Sequence, residues 1–433
     1  MPWTPVAVAA LFLLGLSLRL FWVFYAESFP IGGDQRWYYV VAINLESGYG
    51  YVSNSNPSVI FGELVGHGDP TAFWPPGYPI VLAGFWKVFP MTLDSAKVFH
   101  AVLGALTIPL VYGIGQTLFD RRTGLVAAGL LAVFPNAIIW TPLVISEHLF
   151  TFLFVAALWL LVATGDRPSV RWPALVAIGF LTGVALLTRG QGAVLVPVLF
   201  VYWLLRFGLR PALRSTALTL LVAAAVIAPW TARNWVELHA FVPISTNTAT
   251  VLRQGHSPDS TGTHVWPDEV VDGFRPWESL YDPEWEVTAY REYTKRAISY
   301  AFTHPGREFQ LSRWKVYHLY RSDSEMMPWL TTLGSTPLKP EGLEDVLVRV
   351  LDYGYYALLF AAAASALASF RLDANRSLLL SVFFFWTALH VVFTGEPRYH
   401  LPLIPIFCLA VAAGAWLAPA RIAPEMRRRS GGA

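Results

Sequence analysis

Ten apolar runs divide this chain, each close to the ~20 residues that a helix needs to cross the ~30 Å hydrocarbon core of a bilayer. They cover 5–26, 96–118, 123–140, 144–164, 172–188, 191–207, 213–232, 345–370, 377–394 and 399–419. Backbone in lipid must satisfy its own hydrogen bonds, so runs of this length commit the chain to helices rather than to open sheet. Only 14% of the residues are charged, against ~25% in soluble domains, too few to solvate a soluble surface. The expected fold is an all-α polytopic membrane protein, a bundle of about 10–11 transmembrane helices.

The first run is read as a retained helix, because no basic segment precedes it and no small-residue cleavage site ends it. Arg19 lies inside it and is expected to snorkel toward the interface, with a functional role left open. The stretch 79–90 is too short to span and follows Pro75-Pro76-Gly77, which places it as an interfacial or re-entrant helix. The single cysteine, Cys408, sits in an apolar run and reads as a small core residue.

Arginines orient the bundle. With the N-terminus cytoplasmic, the connections returning to that side hold Arg121-Arg122, Arg167 and Arg171, Arg206, Arg210 and Arg214, then Arg371 and Arg376, and the tail adds Arg421 and Arg427-Arg428-Arg429. Every short arginine cluster falls on one face, as the positive-inside rule requires. No nucleic-acid partner is expected from basic residues distributed in this way. Two long loops fall outside, 27–95, expected to carry amphipathic surface helices, and about 233–344, with helices expected near 284–303 and 306–321. The chain thus divides into an N-terminal transmembrane module, 1–232, an outer helical subdomain, 233–344, and a C-terminal transmembrane module with a basic tail, 345–433.

Chemistry collects on the outer side. Asp34 follows Gly32-Gly33 where a surface helix begins; it suits a helix cap, a general base beside a lipid-bound reactant, or both. Glu147 lies in the outer hairpin between the third and fourth runs, a costly place for a carboxylate unless it faces a polar cavity or a cation. Arg189, Arg233 and Arg398 are outward arginines, which the positive-inside rule makes uncommon, and guanidinium forks bind phosphate. Each also suits a plain anchor or, for Arg398 beside Glu396, a local ion pair. Tyr38, His67, Trp74, Tyr78, His256, Glu396 and Tyr399 complete the candidates for substrate binding. A divalent metal at Glu147 and His67 is left open; no other cofactor is expected.

The order Gly32-Gly33-Asp34-x-x-x-Tyr38-Tyr39, Phe73-Trp74-Pro75-Pro76-Gly77-Tyr78-Pro79, Ser146-Glu147-His148, Thr188-Arg189-Gly190, Pro229-Trp230-x-x-Arg233-Asn234 and Arg398-Tyr399-x-Leu401-Pro402 resembles the family 39-type glycosyltransferases. These are bacterial relatives of the dolichyl-phosphate-mannose protein mannosyltransferases and of the lipid A aminoarabinose transferases. The likeness extends over about 30–420 and includes Ile244 to Asn247, Gly255 to Pro258 and Tyr300 to Phe309. It implies the GT-C fold and an inverting transfer from a polyprenyl-phosphate sugar to a glycan, glycolipid or protein acceptor at the outer face. It also implies Asp34 as base and Glu147 as the second acidic position. The sequence departs from the protein mannosyltransferases in having Asp34-Gln35 where they carry an acidic pair, and in lacking a large inserted outer domain. Arginine-over-lysine and alanine-rich usage points to a bacterium of high genomic GC content; the expected location is its plasma membrane, with both termini cytoplasmic. The alternative function is a polyprenyl-linked sugar transporter or flippase, whose sites lie near the midplane between internal repeats; no repeat is evident, and the charges are displaced outward.

Overall fold

A computed structural model of the chain describes residues 3–26, 33–53, 68–164, 172–265, 283–331, 342–368 and 374–415. The long apolar helix α1 (Trp3–Tyr25) has 23 residues, enough at about 1.5 Å per residue to cross the hydrocarbon core. Two further helices, α2 (Gly33–Glu46) and α3 (Gly77–Trp86), pack on each other. Between them a two-residue antiparallel ladder joins β1 (Val52–Ser53) to β2 (Asp69–Pro70). Gly33 holds φ +53°, which glycine adopts freely, and so α2 begins immediately before Asp34.

Membrane passes come next in chain order. They are α4 (Leu93–Leu118), α5 (Arg121–Val133) continued by α6 (Pro135–Ile139), α7 (Glu147–Thr164), α8 (Trp172–Thr188), α9 (Leu195–Phe207), entered through a 3-10 turn at Gly190–Val194, and α10 (Leu209–Leu238). The next segment holds α11 (Asn247–Gly255), α12 (Pro283–Thr303), α13 (Pro305–Tyr320) and α14 (Met327–Thr331). The last passes are α15 (Leu343–Ala368), α16 (Ala374–Val392) and α17 (Ile404–Ala415), the last entered through a 3-10 turn at Pro397–Leu403. The chain is thus a multi-pass, helical membrane protein.

Among the described residues, seven segments are long and apolar enough to cross a membrane: α1, α4, α7, Gly190–Phe207, α10, α15 and α16. Of the other three expected spans, α5 has 13 residues, and the described parts of α8 and α17 are 17 and 12 residues long. Proline sets an end of two of them. Pro135 stops α5 from running on into α6, and Pro397 and Pro402 hold the start of the last pass as a 3-10 turn.

Arg19 does not snorkel. It is 1% exposed, and its guanidinium donates to the carbonyls of Gly15 (2.9 Å), Leu131 (3.3 Å) and Ala132 (3.4 Å). The last two are among the final carbonyls of α5, which the Pro135 break leaves without partners in their own helix. A cation is the suitable cap there.

Small residues let the passes approach. Any side chain at Gly179 or Gly183 on α8 would collide with Val222 or Val226 of α10, and one at Gly124 on α5 would collide with the backbone of α4. At one end of the bundle Arg206 donates to Asn375 Oδ1 (2.6 Å), and Asn375 donates to the Leu118 carbonyl (2.7 Å). These bonds tie together the ends of α9, α16 and α4. Because α16 runs from there to the turn that carries Arg398, Arg206 and Arg398 lie at opposite ends.

Candidate active site

Two ion pairs meet around one tyrosine. Arg398 Nη1 donates to Asp34 Oδ2 at 2.7 Å, and its Nε donates to Glu396 Oε2 at 2.8 Å. Arg189 Nη1 lies 2.7 Å from Glu147 Oε1 and donates to Ser146 Oγ at 2.9 Å, while its Nε reaches Gln191 Oε1 at 3.2 Å. The ring of Tyr399 lies beside both cations, 5.3 Å from the Arg398 guanidinium carbon and 5.5 Å from that of Arg189.

Each of these side chains is placed by a break in helix. Asp34 sits in the first turn of α2 and Glu147 opens α7, where a carboxylate complements the free N–H groups and the helix dipole. Arg189 stands between α8 and the following 3-10 turn, in extended backbone. Arg398 and Tyr399 sit on the Pro397–Leu403 turn. The Asp34 carboxylate accepts from Arg398.

Charge balance follows from the geometry. Burial alone would make Arg398 easier to deprotonate, but Glu396, Tyr399, Asp34 and Glu147 more than reverse this, holding its pKa well above the ordinary guanidinium value. Burial pushes the Tyr399 hydroxyl up to about 12, with Glu396 adding to the rise. Tyr38 is raised by burial above all, with Asp34 and Glu147 adding to the rise and Arg189 opposing it. All three carboxylates and both guanidiniums thus act on one another across a small space.

A cavity of about 510 Å³ opens on this set, with Asp34, Trp74, Asn247, His264, Glu325, Glu396, Arg398 and Tyr399 in its wall. Trp74 packs against Tyr38, Trp37 and Phe73, so one wall is an aromatic platform with an ion pair beside it. Glu147 and Arg189 lie deeper, 1% and partly exposed respectively.

Several candidates lie elsewhere. Tyr78 is wholly buried behind the site, its hydroxyl 2.7 Å from His100 Nε2. Arg233 does not join the other two arginines: it donates to the carbonyls of Tyr51 and Thr71, 2.8 Å each, and lies over Trp230. Those bonds tie the guanidinium to the backbone beside β1 and β2. His256 donates from Nε2 to the Val392 carbonyl at 2.6 Å and faces Glu308, outside the cavity wall. Tyr38 lies beneath it, with its hydroxyl 3.3 Å from Ser146 Oγ. His67 falls outside the described residues.

Other residues enter that sequence reasoning had not singled out. Gln35 Oε1 accepts from the Val144 N–H at 3.0 Å and so holds the hairpin that carries Ser146 and Glu147. His264 Nδ1 lies 3.7 Å from Glu396 at the cavity edge. Glu286, on α12, accepts from Thr71 Oγ1, Thr246 Oγ1 and the Ala72 N–H. Burial raises its carboxyl pKa, and the hydrogen bonds limit that rise.

Among the described residues no group of three or more His, Cys, Asp and Glu side chains could hold a metal ion. Glu147 has a guanidinium at 2.7 Å, and a divalent cation there would face that charge directly. Glu147 and its described neighbours therefore do not fit a metal.

The chain is similar to known membrane enzymes in two ways. Residues 74–232 match the family described as dolichyl-phosphate-mannose-protein mannosyltransferase. Among solved structures, the Archaeoglobus fulgidus oligosaccharyltransferase AglB in complex with an inhibitory peptide and a dolichol-phosphate aligns at TM-score 0.59 and 16% identity, over 100% of this chain and 52% of that one. The same organism's oligosaccharyltransferase in complex with Zn and sulfate aligns at TM-score 0.57 and 17% identity, over 96% and 49%. ArnT from Cupriavidus metallidurans bound to undecaprenyl phosphate aligns at TM-score 0.45 and 16% identity, over 98% and 80%. No curated protein sequence matches. The fold is therefore that of the oligosaccharyltransferase it aligns with, and this chain spans about half the length of that protein.

Proposed function

We propose that the protein is an inverting glycosyltransferase that moves a sugar from a polyprenyl-phosphate donor to an acceptor hydroxyl at the outer face of a bacterial cell membrane. The observation that carries this reading is the meeting of Asp34–Arg398 and Glu147–Arg189 around Tyr399. A site of this kind needs one group to remove a proton and fixed cations to receive a departing phosphate. The end of the bundle opposite Arg206 and Asn375 supports the outward placement, because short arginine-rich connections stay cytoplasmic. The matched family and the AglB complex with a dolichol-phosphate support a lipid phosphate of that class.

In this mechanism the acceptor hydroxyl gives its proton to Asp34 while its oxygen forms a bond to the anomeric carbon. The bond from that carbon to the phosphate oxygen breaks on the opposite face, and its electron pair leaves with the polyprenyl phosphate. Arg398 and Arg189 stabilise that anion, the first at the cavity wall and the second from beneath. Arg233 takes no part in binding phosphate. Trp74 offers a flat face to a sugar ring, and the acceptor is a glycan, a glycolipid or a protein hydroxyl. Glu147 holds Arg189 in place.

Transfer in proteoliposomes tests the reading. Free polyprenyl phosphate is expected to accumulate with the wild-type protein, and Asp34→Asn is expected to slow its release by roughly 10²–10⁴-fold. Near-normal release from Asp34→Asn would remove Asp34 from the role of base. Movement of intact donor lipid across the bilayer without release would replace transfer by transport.

A further inference from the structure

A lysine with no exposed side-chain surface lies on α13, away from the cavity. Lys315 Nζ donates to the Val391 carbonyl at 3.0 Å, and His256 Nε2 donates to the neighbouring Val392 carbonyl at 2.6 Å. Glu308 Oε2 lies 2.9 Å from His256 Nδ1 and 4.0 Å from Lys315 Nζ, which links the two donors. The two carbonyls are the last of α16, the groups a helix leaves without partners at its C-terminus. A cation is favourable there on two counts, as a hydrogen-bond donor and against the negative end of the helix dipole. Burying a lysine to cap a helix is expensive, so the cap demands an explanation.

The segment after α16 supplies one. The chain passes directly through Phe393, Thr394 and Gly395 to Glu396 and Arg398. This turn is threaded between two neighbours. A Cβ on Gly395 would overlap the Lys315 carbonyl, and a Cβ on Gly255 would overlap the Phe393 carbonyl. The Gly395 N–H donates to the Gly262 carbonyl at 2.9 Å, and Gly262, at φ +88°, lies against Trp314 and Lys315. Gly395 within the turn, with Gly255 and Gly262 beside it, therefore lets three backbone stretches close together next to Lys315. The Lys315 side chain lies apart from the cavity wall, yet this packing sets where the backbone enters the turn that carries Arg398.

We infer that Lys315, with Glu308 and His256, is the positioning device for Arg398, fixing the α16 end so that the guanidinium reaches Asp34 and, on the reading proposed above, the donor phosphate. Lys315 and Glu308 are positioning residues; neither meets substrate.

The test measures binding of undecaprenyl phosphate to the full chain in phosphatidylcholine nanodiscs, together with donor KM, acceptor KM and kcat. Lys315→Met is expected to weaken binding and raise donor KM by roughly 10- to 100-fold, since misplacement by about 1 Å costs that much. Acceptor KM should stay put, and Lys315→Arg should recover part of the loss. Because Lys315→Met leaves a buried carbonyl without its donor and can fail to fold, Glu308→Gln serves as the second variant: it keeps volume, removes the charge that links the two donors, and is expected to shift donor KM in the same direction. Wild-type donor affinity in a folded Glu308→Gln or Lys315→Met protein overturns the inference. If Arg398→Ala also binds the probe as the wild type does, the proposed function fails as well. If Arg398→Ala loses binding and the other two variants do not, only the positioning role falls.

Discussion

Removing the guanidinium of Arg189 isolates a carboxylate that has no other cation in contact among the described residues. The Glu147 side chain is 2% exposed and that of Arg189 13% exposed. Beyond Arg189 at 2.7 Å, its polar neighbour is the Ser146 hydroxyl, which donates at 3.5 Å. In Arg189→Gln the carboxylate keeps its charge and loses its partner, and breaking a buried pair from one side costs about 3–5 kcal/mol. At about 1.4 kcal/mol per tenfold, this lowers the folded-to-unfolded ratio by roughly two to three and a half decades. Glu147→Gln/Arg189→Gln removes both charges, and most of the loss should return, giving a coupling energy on the order of 3 kcal/mol. The cycle is read from unfolding in detergent followed by fluorescence of the tryptophans, with each single variant and the pair compared at one pH. Recovery of stability should come without recovery of transfer, since the double variant lacks the lower cation. Unchanged stability in Arg189→Gln alone would refute the pairing. Rescue of that variant by a divalent ion would make Glu147 a metal ligand instead.

Two further outcomes rest on particular contacts. Gln35→Leu orphans the buried Val144 N–H that Gln35 Oε1 now satisfies; the expected loss is about 1–3 kcal/mol of stability, measured by the same unfolding assay, with a rise in donor KM because the Ser146–Glu147 hairpin loosens. Burial lowers the Lys315 ammonium from 10.5 to about 8, with Glu308 acting in the other direction. Between those values the unfolded chain binds more protons than the folded one, so this group makes stability rise with pH across the window. Donor affinity should move the opposite way, falling above about pH 8 as the charge facing Glu308 and His256 is lost. Both slopes should flatten in Lys315→Met, as followed by unfolding and probe binding from pH 7 to about 10.5.

The bundle was legible because lipid permits so few solutions: a run of ~20 apolar residues has one fate, and the position of an arginine cluster reports which side it occupies. α12 and α13 were visible too, as amphipathic stretches bounded by Pro283 and Pro305. The ends of two passes were harder, since an apolar run does not announce where proline stops a helix inside it. Arg19 was misjudged for the same reason: its partners are carbonyls that exist only because Pro135 interrupts a different helix 113 positions from Arg19 at Ala132. At the site, Asp34, Glu147, Arg189 and Arg398 stood out as charges beside lipid. Their pairing did not, because an ion pair between distant stretches leaves no local pattern. Arg233 looked the same as its fellows in one dimension, and only the carbonyls of Tyr51 and Thr71 distinguish it. Gln35 and Lys315 gave no signal at all: one accepts a single backbone hydrogen and the other is a lysine in an amphipathic helix, and both matter through what they hold.

Asp34 and Arg398 are separated by 364 positions in the chain. During synthesis the acid is in place almost at once, while its guanidinium arrives only when nearly every pass has been made. A chain halted before the Pro397–Leu403 turn therefore presents half of this contact and, on the proposed reading, carries the base without the cation beside it.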